Sequence, residues 1–392
     1  MYRNTRFGQI MEGLPRSYFE KVVKAENADK YCKGFRRWDQ MMAMIFNQLS
    51  GANSLRELEA SFNSQHAYHY HLGTHNIKRS TLADANNRRS SDIFARVCTE
   101  LIQSAHGAVK RELKALVYLL DSSPIHLSGP GFDEWAGEHR TKITQGLKLH
   151  LMLEQQAKLP VYAMITTANK SDIVQGRKVD IEQGATYVFD KGYYDYSWWK
   201  SINDQGAHFV SRFKKNAAVA VTRQHAVDAD CQDEILEDAT IKFTRKVVGT
   251  KNLPNPYLGT PARRIMVSRP DKGTPLILVT NDFTRSAQEI ARLYKQRWDI
   301  ELFFKWIKQN LKIKRFLGRS ENAVKTQIYI ALITYVLLYL YRKSNKINDV
   351  FSLSLCAIKT GLFQRPETEY TIALRRRKAR EELARLQGVL EL

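Results

Sequence analysis

The sequence predicts a mixed α/β fold between helical flanks, and three observations carry that expectation. Apolar runs suited to strands come as a meander of three and then alternate with helical stretches from about residue 113 to 215. The residues before and after this block repeat their apolar positions at helical spacing. Two of the strand-like runs end on an aspartate, Asp121 and Asp190, an arrangement that places carboxylates together at one end of a sheet.

Residues 1–112 form the first segment. Met41–Phe46 and then Leu55, Leu58 and Phe62 keep the helical period, and a polar, His-rich loop is expected to follow. Ser80 is placed to cap a short basic helix running to Arg89. With Arg79, Arg88 and Arg89 it reads as the second helix of a helix-turn-helix that contacts DNA, against the plainer reading of a solvated surface helix. His66, His69, His71 and His75 lack an accompanying cysteine and match no standard zinc spacing.

In residues 113–215, Ala115–Leu120 is a continuous apolar strand expected to stop at Asp121, before Ser122, Ser123 and Pro124. Leu147–Leu151 and Val161–Ile165 follow as its antiparallel neighbours, and His150 reads as a satisfied sheet histidine. A helix over about 174–183 leads to a strand over 185–189, which ends at Asp190 with Lys191-Gly192-Tyr193 behind it. A helix through Trp198 and Trp199, both core residues in this reading, leads to the strand His208–Phe213, and Asp195 suits the N-terminus of that helix. Residues 216–275, broken by Pro254, Pro256, Gly259 and Pro261, read as an inserted, mostly β subdomain.

Residues 276–343 resume the core with a strand over 276–280 and a long helix capped by Ser286 and running to Leu311, then a second helix over 322–343. Residues 344–392 form a basic, helical C-terminal region with a helical tail from Arg375 to Arg385.

The charge balance names the class of partner. The 392-residue chain has 61 Lys+Arg against 40 Asp+Glu, a formal charge of +21. That disfavours an ordinary metabolic enzyme and favours nucleic acid first, an anionic membrane surface second. From residue 276 onward, 22 Lys+Arg face 11 Asp+Glu, so the polyanion is expected against that part and its neighbouring sheet. Cys32, Cys98, Cys231 and Cys356 form no CxxC pair, which suits a reducing compartment. No apolar stretch opens the chain, and the apolar run Ile328–Tyr341 is shorter than a membrane span, so a cytoplasmic protein without a membrane partner is expected.

The chemistry concentrates on the long helix. Tyr294, Arg297, Glu301 and Lys308 stand at offsets 0, 3, 7 and 14, which at about 100° per residue share one narrow stripe. The rest of the helix is apolar (Trp298, Ile300, Leu302, Phe303, Phe304, Trp306, Ile307), so it reads as buried, with Trp298 and Trp306 as packing residues and the stripe facing a cleft. Glu301 thereby joins Asp121 and Asp190 as a candidate for one site. Asp-Ser-Ser-Pro is also good turn chemistry, the plain alternative for Asp121. Clustered carboxylates repel, and divalent cations remove the penalty; oxygen ligands favour Mg2+ or Mn2+. Two such ions clamp the attacking and leaving oxygens of a phosphoryl displacement, while Arg297 and Lys308 suit phosphate positioning.

Tyr294-x2-Arg297-x3-Glu301-x6-Lys308 resembles the Y-x2-R-x3-E-x6-K signature of the insertion sequence 4 family of bacterial DDE transposases. Asp121 after an apolar strand, Asp190-Lys191-Gly192-Tyr193, the strand Phe209–Lys214, the β-like insert and the block from Phe7 to about Arg89 resemble the same family, so the likeness spans nearly the whole chain. The resemblance implies a ribonuclease H-like catalytic core with an inserted β subdomain and an N-terminal helical DNA-binding domain. It implies cut-and-paste transposition: terminal inverted repeats are bound, transposon ends are cleaved, and 3′-hydroxyls are joined to target DNA in the bacterial nucleoid. Asp121, Asp190 and Glu301 would be the catalytic, metal-binding triad, with two Mg2+ ions per site; Tyr294, Arg297 and Lys308 would contact DNA. A homodimer on paired ends is expected. The alternatives are a repeat-binding protein without catalysis, and a nuclease that never joins strands. Relatives hold a flipped base with an aromatic of the insert, often Trp; here the insert has only Phe243 and Tyr257, and no flipped-base residue is assigned.

Overall fold

The computed structural model describes residues 5–136, 145–214, 217–227, 229–231, 233–248, 253–270, 273–364 and 377–383. They divide into two compact units, residues 1–82 with 337–392, and residues 83–336.

The first unit is helical: α1 (Arg6–Ile10), α2 (Arg16–Ala25), α3 (Arg37–Ser50), α4 (Leu55–Asn63) and α5 (His66–Leu72). α3 is its centre, buried from Arg37 to Leu49, with Asp39 closing a capping box at its start and left-handed Gly51 ending it. Phe46 packs on Phe7, Phe62 and Phe363, and the Trp38 indole donates to the Leu72 carbonyl (2.9 Å). α5 replaces the expected His-rich loop. Its buried face is Leu72 and His69, which stacks on Phe62 and lies 3.0 Å from the Phe62 carbonyl. The basic helix α6 (Arg79–Arg88) begins one residue before Ser80, which therefore sits inside the helix and does not cap it.

In the second unit α7 (Asp92–Lys110) precedes one nine-stranded sheet. β1 (Val117–His126), β2 (Gly146–Glu154) and β3 (Leu159–Thr167) form the expected antiparallel meander. After the five-residue helix α8 (Asp172–Gly176) come β4 (Thr186–Phe189), α9 (Tyr196–Asp204) and β5 (His208–Arg212). The helix expected over 174–183 is only this single turn, placed two residues earlier; Arg177 already closes it. The insert supplies β6 (Val219–Gln224), β7 (Ile235–Phe243), the small pair β8 (Val247–Val248) and β9 (Leu253–Pro254), and β10 (Pro261–Val267); β11 (Leu276–Thr280) follows. The sheet order is β3-β2-β1-β4-β5-β11-β10-β7-β6, with β1, β4 and β5 parallel to one another. Three strands of the insert thus extend the central sheet, and its Ala262, Ile241 and Phe243 share an aromatic core with Trp199, Phe209 and Phe189. Asp195 caps α9 by accepting the Trp198 amide (2.8 Å), as its position suggested, and Trp198 and Trp199 are core residues.

The strand bearing Asp121 does not stop there. β1 pairs with β2 as far as His126, whereas its pairing with β4 ends at Leu120 opposite Phe189. Beyond that point β1 has a neighbour on one side only. Pro124 is tolerated because the open side asks for no amide donor.

The expected long helix is two, α10 (Ala287–Gln296) and α11 (Trp298–Asn310), meeting at Arg297. Ser286 caps α10 in a capping box with Glu289. Ile300, Phe303, Phe304 and Ile307 are buried as expected; Trp298 and Leu302 are not, being 56% and 48% exposed, because α11 turns them away from the sheet. Trp306 packs edge-on against Tyr335. α12 (Glu321–Ser344) is long and apolar enough to cross a membrane by length and composition, but 83% of its most apolar window is buried inside the protein. α13 (Phe351–Thr360) packs on α3. Of the expected tail helix, residues 377–383 are helical and exposed; Arg375, Arg376, Ala384 and Arg385 lie outside the described residues.

Candidate active site

The site grows from the place where β4 ends beside β1. Leu120 pairs with Phe189, so the next residues, Asp121 and Asp190, emerge side by side on adjacent parallel strands, spaced by about 4.8 Å. Asp190 turns the chain: its Oδ1 accepts the Gly192 amide (2.7 Å), closing a single 3-10 turn over Lys191–Tyr193. Asp121 Oδ1 accepts the Ser122 amide (2.8 Å).

Glu301 arrives from the first turn of α11, and Arg297 ties it to the sheet. Arg297 Nη2 donates to Glu301 Oε1 (2.5 Å) and Nη1 to Asp121 Oδ2 (3.3 Å), joining residues 176 apart in sequence. The Arg297–Glu301 bond is the i,i+4 contact that their spacing predicts. Tyr294 is buried, with the guanidinium 5.8 Å from its ring centre. Lys308 Nζ donates to Ser123 Oγ (2.6 Å) and to the Pro124 carbonyl (3.0 Å), against the continuation of the Asp121 strand. The stripe of four therefore faces the sheet end that carries both aspartates.

The electrostatics follow from burial and crowding. The Asp121 carboxyl is pushed up to about 7 by burial first and by the charges of Asp190 and Glu301; the Ser122 amide and Arg297 oppose the rise. Burial works against the Arg297 charge, but the Glu301 hydrogen bond, Tyr294 and Asp121 hold its affinity for the proton above the ordinary arginine value. Lys308 is lowered by burial and by Lys314.

The donor chemistry fits a hard cation, because three carboxylates supply oxygen ligands and one of them is driven toward its neutral form by burial first and by the other two after it. Among the described residues no group of three or more His, Cys, Asp or Glu stands ready to hold an ion, and Asp121 and Glu301 share the one guanidinium of Arg297.

Of the residues singled out from sequence for DNA contact elsewhere, Arg79 and Arg88 are exposed on α6, and Arg89, directly after it, is half-buried. Phe243 and Tyr257 of the insert are fully buried in the aromatic core, so neither is presented for stacking on a base. Sequence reasoning missed Asp172. It opens α8, within a stretch that read as the approach to a longer helix, and only the register of β1 and β2 brings Ser122, Lys148 and His150 to it.

Residues 112–337 match the family model described as a transposase DDE domain, and residues 2–75 match one described as a domain of unknown function. The chain belongs to the DDE transposases. It is of the insertion sequence 4-like kind, a DNA transposase. A chain of Sinorhizobium fredii (strain NBRC 101917 / NGR234) named as transposase y4zB is 41% identical over 268 residues, 68% of this chain and 72% of that one. A chain of Geobacillus stearothermophilus named as a transposase for insertion sequence element IS5377 is 29% identical over 287 residues, 72% of each chain. Among solved structures, a chain of the piggyBac transposase synaptic complex with hairpin DNA is similar with a TM-score of 0.48 and 10% identity, over 92% of this chain and 80% of that one. DDE transposases work with divalent metal ions.

Proposed function

We propose that this protein is a cut-and-paste transposase with a ribonuclease H-like core, whose catalytic acids are Asp121, Asp190 and Glu301. One observation supports the assignment above the rest: Arg297 pairs with both Asp121 and Glu301 beside the strand end that bears Asp190. Three acids from distant parts of the chain share one electrostatic environment, an expensive arrangement that a structural role alone does not call for. The order β3-β2-β1-β4-β5, with a meander followed by parallel strands, supports the ribonuclease H-like description.

The acids would hold two Mg2+ ions, with Mn2+ able to substitute, and the ions supply charge neutralisation at the phosphate and activation of the attacking oxygen. In end cleavage, water attacks phosphorus and the 3′ oxygen leaves as a hydroxyl. In joining, that 3′-hydroxyl attacks a target phosphodiester, whose own 3′ oxygen departs. Arg297, which pairs with Asp121 and Glu301 here, would grip a phosphate with its planar fork. Lys308 places a point charge beside Ser123, and Tyr294 packs the guanidinium into position. Arg79, Arg88 and Arg89 contact the DNA of the terminal inverted repeats by charge. A homodimer brings two ends together.

The test is a supercoiled plasmid carrying the element's ends, incubated with Mg2+ or Mn2+. The wild-type protein cleaves and joins strands, and Asp190→Ala and Glu301→Ala do neither. Cleavage that survives both substitutions refutes the triad; binding of the ends without cleavage by the wild-type chain identifies a repeat-binding protein; cleavage without joined products identifies a nuclease.

A further inference from the structure

A fourth acid lies behind the two aspartates. Asp172 is the first residue of α8, and its carboxylate points at the sheet, with 24% of the side chain exposed. Its Oδ1 accepts the Ser122 hydroxyl (2.7 Å) and Lys148 Nζ (3.2 Å), and lies 3.5 Å from His150 Nδ1. Register explains the convergence. Ser122 pairs with His150 and Pro124 with Lys148, so Ser122, His150 and Lys148 project from one face of the β1–β2 ladder toward α8. Lys148 also donates to the Lys170 carbonyl (2.8 Å), which ties down the chain entering α8. His150 is buried, with Nε2 2.9 Å from Thr166 Oγ1.

The other oxygen of Asp172 faces the turn that follows β4. A Cβ built on Gly192 would lie 3.0 Å from Asp172 Oδ2 and 3.0 Å from Asp190 Oδ1. The turn that orients Asp190 is thus wedged between its own carboxylate and that of Asp172. A single side chain touches the residue after Asp121 and borders the turn after Asp190. Lys148 balances its charge, so a fourth carboxylate is accommodated without a fourth net negative charge.

We propose that Asp172 is a positioning residue: clamped by Lys148, it fixes Ser122 and the Asp190–Gly192 turn, and so sets the separation of the two aspartates at which cations are held. This rests on the triad assigned above. Outer partners of metal-ligating carboxylates characteristically influence metal affinity and rate about 10- to 100-fold.

The experiment uses the full chain with end DNA and four readouts: end cleavage, DNA affinity by fluorescence anisotropy without divalent cation, Mn2+ binding by electron paramagnetic resonance, and melting temperature. Asp172→Ala is expected to weaken Mn2+ binding and slow cleavage together, each by about tenfold or more, while DNA affinity stays within about twofold. Ser122→Ala should show a smaller loss in the same direction, and adding it to Asp172→Ala should cost little more, because the two act through one hydrogen bond. If Asp172→Ala fails to fold, Asp172→Asn takes its place: it keeps the size and the oxygen facing Ser122 but loses the charge pair with Lys148, and a several-fold loss of Mn2+ affinity is expected. Unchanged Mn2+ affinity and cleavage in a folded variant overturn the proposal. So does a parallel fall of melting temperature and DNA affinity that accounts for the loss. Glu301→Ala, run alongside, separates the two failures: if it keeps Mn2+ affinity and cleavage, the triad itself is wrong, and Asp172 positions nothing.

Discussion

Two clusters of buried charge in the second unit are built from the same residue types and behave in opposite ways. Around Arg263, Asp238 receives both Nε (2.8 Å) and Nη2 (2.5 Å), and Nη1 donates to the Asp282 and Arg285 carbonyls. Asp282 in turn accepts the Thr284 amide and hydroxyl and the Arg285 amide. Burial alone would raise Asp282, but these hydrogen bonds win and hold its carboxyl down at about 2. At the strand end, Asp121 has one amide and one long contact to a guanidinium that it shares with Glu301, and its carboxyl sits at about 7. One cluster has resolved its charges within the protein. The other retains a carboxylate excess that protein groups do not neutralise, which is the expected signature of a site completed by something bound.

The sharpest way to break this comparison is to remove one acid from each cluster. Glu301→Ala is expected to slow end cleavage by about a thousandfold or more, the several kcal/mol that metal-centred charge stabilisation supplies, with the melting temperature kept or raised. Asp238→Ala leaves Arg263 buried without its partner, and should cost about 3–5 kcal/mol of stability, read in urea unfolding. A protein that tolerates Asp238→Ala but unfolds with Glu301→Ala would invert the two assignments.

The next effect concerns the proton on Asp121. A carboxyl raised in the folded state binds its proton more tightly there than in the unfolded chain. Its stabilising contribution is full below the ordinary value of 3.8 and is lost as pH rises through about 7. In metal-free protein, wild type should therefore lose stability relative to Asp121→Asn between roughly pH 4 and 7, by up to about 4 kcal/mol. Parallel melting profiles for the two proteins would show that burial and the neighbouring acids do not raise the Asp121 carboxyl.

What could be read in the sequence divides along the same line. Glu301, Arg297, Tyr294 and Lys308 were legible because helical period fixes which side chains share a face, and the break at Arg297 leaves the i,i+4 pair intact. Asp121 was legible as a residue at a strand end, although the strand itself continues to His126; what ends at that level is its parallel neighbour, and pairing between strands is not written in local propensity. Asp172 was hidden for the same reason, since its partners Ser122 and Lys148 reach it only through the β1–β2 register. The strands of the insert follow its apolar pattern, but their union with the main sheet depends on β10 pairing with β11, a tertiary choice. Exposed Trp298 shows the limit of an apolar count on a helix: residue type alone does not say which side meets the sheet.

The smallest effect sharpens the contrast from the resolved side. Asp282 has a depressed folded value, so its contribution is present above 3.8 and is lost as pH falls through about 2, the reverse of Asp121. Its side chain is fully shielded from solvent, so the shift corresponds to about 2 kcal/mol. Asp282→Asn should flatten the acid limb of the stability profile by that amount, because Asn keeps one carbonyl oxygen for the Thr284 and Arg285 donors but has no charge to lose. Cleavage at neutral pH should be unaffected beyond any change in folded fraction, since Asp282 faces Thr284, Arg285 and Arg263 and none of the catalytic acids. A variant that kept its stability but lost cleavage would show that this second cluster reaches the reacting phosphate after all, and the division between resolved and unresolved charge would have to be redrawn.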